Sequence, residues 1–183
     1  MNKPHYQPFF NPSLTSVINM KPSGSFLIDR AAAEKAVQMS LPLIHEAMKH
    51  KEVGESGFLY IVVMDPLRTP SVCSFEEAIL YEHAVGDREK WDADYAGFAR
   101  AKAKVAWRTG LDSHLVQELQ PHLLAAGDTV LWGSAVVDGI VVGVSGANPW
   151  YDEAFAGTVA MCVRAIAKAG AAEARKKGLF LSA

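Results

Sequence analysis

The chain has 183 residues, 50% of them apolar and 21% charged, with a formal net charge of −2. That balance suits one globular domain with a sizeable core and argues against the strongly charged surfaces that serve nucleic acids or anionic membranes. The N-terminal MNKPHYQPFF lacks the apolar region of a signal peptide, and no apolar run reaches the ~18 to 20 residues of a membrane span. The two cysteines, Cys73 and Cys162, have no metal-site spacing, so a cytoplasmic, reducing setting is expected.

Residues 1–25 hold Pro4, Pro8, Pro12 and Pro22 with Tyr6, Phe9 and Phe10, which excludes a regular helix or a central strand. Such an arm is expected to pack across its own domain or to wrap a neighbouring subunit, and residues 26–183 to form a single domain. Asp29 can cap a helix with Val37, Leu41, Ile44 and Met48 on one face. Pro42 predicts a kink or break near Leu41. The apolar run Phe58 to Met64 reads as a buried strand, ended by Asp65-Pro66. Phe75 to Val85 is a second strand candidate, with Ile79 and Tyr81 on one face and Leu80 and Glu82 on the other. Gly86 to Lys90 is a charged turn. From Asp94 a helix follows, with Tyr95, Phe98, Lys102, Val105 and Thr109 on one face and Ala96, Ala99, Ala103, Ala106 and Gly110 on another. The small-residue face lets the helix lie close on a sheet or on another helix. A shorter helix is predicted over 113–124.

Thr129 to Gly157 organises the rest. Asp138-Gly139 between the β-branched runs Val130 to Val137 and Ile140 to Ser145 signals a two-residue hairpin, because a type I′ turn needs φ > 0 at both central positions. Gly146 and Ala147 break the strand, Asn148 is a good N-cap, and Pro149 suits the first helical position. Asp152 and Glu153 fall in the first turn, and Phe155, Val159, Cys162, Val163 and Ile166 then recur at helical spacing. These elements make an α+β domain, an antiparallel sheet with helices packed on it.

Asp138 to Gly146 (DGIVVGVSG) followed by Asp152-Glu153 resembles the DGxVVGxxGVSGG-and-DE signature of the GlcG/HbpS-like family, the haem-binding or haem-degrading-like domain also found at the C-terminal end of PduO-type proteins. Lys102-Ala103 and Gly110 match that family's helix motif, whereas Leu111-Asp112-Ser113 replaces its arginine, proline and threonine, and Ala147 replaces the second closing glycine. The resemblance implies a profilin-like sheet of about five strands, a homo-oligomer, and haem or a related planar, carboxylate-bearing ligand.

Several residues are candidates for chemistry. His45 and His50 are spaced i, i+5, about 140° apart on a helix at 100° per residue, which rules them poor zinc ligands. Glu82 and His83, with Asp87, Asp92 and Asp94 close behind, form the richest local set of metal-ligand types, to be weighed against a solvated charged turn. His83 is the candidate metal or axial ligand and Glu82 its metal-binding partner. Lys102 sits in an apolar stripe, so it either snorkels to solvent or meets an anion such as a propionate. Gly146, at the end of a strand and the start of a helix, offers backbone N–H groups to a ligand, or simply caps the helix. Glu153 is a candidate general base, with Lys102 as its catalytic companion. Trp132, beside Gly133-Ser134, is a candidate cofactor contact, and Trp107 and Trp150 could line a flat pocket, or merely pack. Two functions remain open: a binding domain for haem or a related ligand, as the resemblance implies, and a small-molecule enzyme, metal-assisted or acid/base.

Overall fold

The computed structural model describes residues 24–178. The expected arm over 1–25 therefore lies almost wholly outside the described residues. Among them, four strands form one antiparallel sheet in the order β2-β1-β4-β3. The strands are β1 (Leu59–Met64), β2 (Ile79–Val85), β3 (Ser134–Val137) and β4 (Ile140–Ser145), and the helices are α1 (Arg30–Ala47), α2 (Phe75–Ala78), α3 (Tyr95–Thr109) and α4 (Pro149–Lys177). The α+β class stands, with four strands where about five were expected.

Strand alternation divides the core in two. Leu59, Ile61 and Val63 of β1 face α1 and α4, in a cluster with Ala36, Val37, Ile44, Phe155, Val159 and Val163. Tyr60, Val62 and Met64 face α3, in a cluster with Ala96, Ala99, Ala103 and Ala106. A sheet covered on both faces needs apolar residues at consecutive positions, which is why β1 reads as an unbroken apolar run. The alanine face of α3 performs the expected task. A Cβ on Gly143 of β4 would lie 2.6 Å from the Ala103 Cβ and 2.6 Å from the Ala99 carbonyl oxygen, so helix and strand meet backbone to backbone.

The hairpin is as read. Asp138 (φ 51°) and Gly139 (φ 82°) turn the chain, and Val137 pairs with Ile140. The preceding strand is shorter than read, however: β3 begins at Ser134, and residues 130–133 form a connection that holds Gly133 at φ 143°. Asp29 caps α1 by accepting from Ala32 N, and Asp94 caps α3 by accepting from Gly97 N. Gly110 closes α3 in the left-handed region.

α1 runs through Pro42, so of the kink or break expected near Leu41 the break does not occur. Three further expectations are corrected. Phe75 to Ala78 is a helical turn, not strand, because Ser74 and Glu77 form a reciprocal capping box. An irregularity between Val63 and Met64 then pairs Val63 with Tyr81 and Met64 with Ile79, so Ile79 packs in the α3-side cluster and Tyr81 in the other, although they were read as one face. The helix expected over 113–124 is a π-type turn, Leu115–Leu119, followed by a 3₁₀ turn, Pro121–Leu123. In addition, α4 is long and apolar enough to cross a membrane by length and composition alone. Here one side of it packs on the sheet and α1, and Arg164 on it bonds the turn residue Asp138 at 3.0 Å.

Candidate functional site

The site is built where β4 hands over to α4. Gly146 (φ 142°) makes that handover possible, since a Cβ there would lie 2.1 Å from the Phe58 carbonyl oxygen. The N-cap position falls on Asn148, but its side chain does not cap the helix; its Nδ2 donates to the Glu52 carbonyl at 2.8 Å. Asp152 reaches back instead, accepting from Ala147 N at 2.9 Å. The N–H groups near Gly146 therefore serve the chain's own carboxylate, which is the capping alternative for this turn.

Asp152 is 1% exposed and Lys102 is 3% exposed. The Lys102 Nζ lies 2.7 Å from Asp152 Oδ2 and 3.2 Å from Ser145 Oγ. Snorkelling is overturned: Lys102 does meet an anion, but the anion is Asp152, carried 50 residues further along the chain. Burial raises the Asp152 carboxyl to about 6, against the downward pull of Lys102 and of the backbone N–H groups of Ala147 and Gly146. Gly133 seals the pair. A Cβ there would sit 2.6 Å from the Asp152 Cβ and 3.1 Å from Lys102 Nζ. Ser113 Oγ fixes this connection by accepting from Gly133 N at 3.0 Å and Ser134 N at 3.1 Å.

Glu153 is one step further round α4 and points to different company. Its Oε2 is 2.5 Å from His114 Nδ1. Asp112 joins them, and one ligand atom from each of Asp112, His114 and Glu153 lies within 4.8 Å of the others. Asp112 is held by Val136 N, which donates to Oδ1 at 2.6 Å. All three residues are half-buried. Burial raises the Glu153 carboxyl above its ordinary range, His114 pulls it down, and Asp112 and Glu118 add to the rise. The His114 ring is 5.7 Å from that of Trp132, which is 6.5 Å from that of Trp150. Trp150 is 57% exposed, so the two indoles form an open aromatic shelf beside the polar trio.

Of the sequence-level candidates, Glu153 and Trp132 belong to this shelf, and Lys102 and Gly146 lie behind it as structural supports. Glu82 and His83 do not join them, nor each other. As neighbours on a strand they point to opposite faces of the sheet. Glu82 faces α3 and is held by Arg100 through two bonds of 2.6 and 2.7 Å. His83 faces the other way and stacks against Tyr81, with ring centroids 6.3 Å apart. Burial and the nearby His45 lower its pKa. It sits on β2, at one edge of the sheet, whereas Trp132 leads into β3 at the other. Glu82 and His83 therefore cannot share a metal, and the haem set of His83, Lys102 and Trp132 does not converge. Asp87 and Asp94 cap helical turns and Asp92 accepts from the Tyr95 hydroxyl at 2.6 Å, so the solvated-turn alternative holds there. Trp107 packs edge-on against Phe75 and donates to the Arg68 carbonyl at 2.6 Å, apart from Trp150.

Asp112 and His114 were missed as site residues. Their signal was present: an Asp-x-His placed directly after the helix-ending Gly110, at the point where the chain departs from the motif it otherwise resembles. A π-type turn follows at once, a rare conformation that is often found at functional sites.

No family matches the sequence, and no curated protein does. Among solved structures, the chain is similar to the crystal structure of HbpS, with 19% identity and a TM-score of 0.45, over 76% of this chain and 92% of that one. A likeness of that size transfers no site residue.

Proposed function

We propose that this protein is a small-molecule-binding domain whose ligand is flat and carries an oxygen-rich polar group. The ring would lie against Trp132 and Trp150, and the polar group would reach His114 and Glu153. One observation carries the reading: the His114–Glu153 contact of 2.5 Å opens directly onto the two indoles. Ligand sites combine apolar, often aromatic walls with a few convergent polar groups, and this is the one place among the described residues where a half-buried histidine, two carboxylates and two tryptophans meet. The carboxylate holds the imidazole in one orientation, so the pair is also equipped to move a proton to or from a bound ligand. His114 takes over the part expected of His83, and Lys102 supports the site from behind without touching the ligand.

Tryptophan fluorescence tests this with two kinds of probe, monocyclic aromatic carboxylates and hemin. Saturable quenching that is lost in Trp150→Ala and in His114→Ala is the expected result. A saturable, red-shifted Soret band that is lost in His114→Ala and kept in His83→Ala would assign the shelf to haem. Quenching that neither substitution alters would refute the site.

A further inference from the structure

We infer that Asp112, His114 and Glu153 form a binding site for a divalent cation of the zinc class, through which the shelf holds an oxygen atom of its ligand. The inference rests on the reading of the shelf as the ligand site. A histidine nitrogen and two carboxylate oxygens from separate segments are the donor set of an open zinc-type site, with three protein ligands and room for one more. Around such an ion, bonds of about 2.0–2.2 Å place ligand atoms about 3–3.5 Å apart. The three atoms here already lie within 4.8 Å, so small side-chain rotations suffice. His114 Nδ1 and Glu153 Oε2, 2.5 Å apart, already face one another where the ion would enter.

A second observation points to a cation. Asp112 and Glu118 place their negative charges within electrostatic range of Glu153. Among the described residues, no lysine or arginine forms an ion pair with any of them. Lys102 is the nearby ammonium, and it is spent on Asp152. The remaining ion pairs of the described residues match each carboxylate with a lysine or arginine, whereas this cluster sets three carboxylates against one histidine. Asp112 is also pre-positioned by its bond from Val136 N, as a ligand held by its own support would be.

The test is calorimetric titration of chelator-treated full-length protein with Zn²⁺ and Mn²⁺. The expected result is one saturable site, with affinity reduced at least about tenfold in each of Asp112→Asn, His114→Ala and Glu153→Gln and unchanged in Glu82→Gln and His83→Gln. Far-UV circular dichroism confirms that each variant is folded; if one is not, the other two decide. Absence of saturable binding to the unaltered protein, or an affinity that all three variants leave unchanged, overturns the inference. The shelf is read separately, by quenching with the aromatic carboxylates. Quenching that is saturable in metal-free protein and indifferent to Zn²⁺ overturns the cation and leaves the shelf. Tight Zn²⁺ binding with no effect of Trp150→Ala on quenching leaves the cation and overturns the shelf.

Discussion

Asp152 and Glu153 are consecutive residues of one helix, yet they make opposite kinds of ion pair. The turn of about 100° per residue sends one inward and the other outward. Asp152 meets Lys102 in the core, where neither group sees water. Glu153 meets His114 on a half-open shelf, within reach of solvent. The first pair joins α3 to the start of α4 and holds the backbone behind the site. The second sets its polar groups at the surface. Two acidic neighbours of like composition thus divide the work of structure and chemistry by helix phase alone.

The largest effect is expected from the inner pair. Lys102→Met leaves a buried carboxylate without its cation, and losing one partner of a buried pair destabilises by about 3–5 kcal/mol. Urea denaturation measures this, and a change below about 1 kcal/mol would make the inner pair no different from a surface one. The same variant carries a pH signature. The Asp152 carboxyl titrates near 6 in the folded chain, above its value of about 4 when unfolded. The native state therefore holds the proton more tightly, and this group's stabilising contribution is complete below about pH 4 and is lost as pH rises through about 6. Without Lys102 the carboxyl rises further, so the variant's deficit should shrink as the pH falls from 7.5 to 4.5. Parallel stability curves for the two proteins would break the argument.

An intermediate effect is expected at Gly133. A Cβ there would crowd Asp152 and Lys102, and φ of 143° is strained for any other residue. Gly133→Ala should destabilise by about 1–3 kcal/mol, read from the same urea curves; an unchanged midpoint would mean that the connection yields. The smallest effect is expected from the outer pair. Glu153→Gln removes a half-exposed contact, and such pairs contribute roughly 0–1 kcal/mol. A loss as large as that of Lys102→Met would erase the contrast between the two carboxylates.

Local physics was legible in the residues. The two-residue turn at Asp138-Gly139, the caps at Asp29 and Asp94, the close-packing alanine face of α3 and the buried run of β1 all follow from rules that act over a few positions. The capping box at Ser74 and Glu77 is equally local, a Ser-x-x-Glu spacing that starts a helical turn. Glu82 and His83 looked like a pair because they are adjacent in sequence, but strand geometry makes adjacency the surest way of being parted.

What the sequence by itself determined is therefore the set of elements and their faces, including the apolar stripe that demanded an explanation for Lys102. What only the tertiary structure decided is which polar groups meet. Lys102 finds Asp152 across 50 residues, and His114 finds Glu153 across 39. Hydrogen-bonded turns and side-chain periodicity are set within a few residues of the chain, so they can be read from it. A meeting between distant side chains depends on how helices and sheet dock, and on a glycine such as Gly133 leaving the room for it, which becomes visible only once the core has closed.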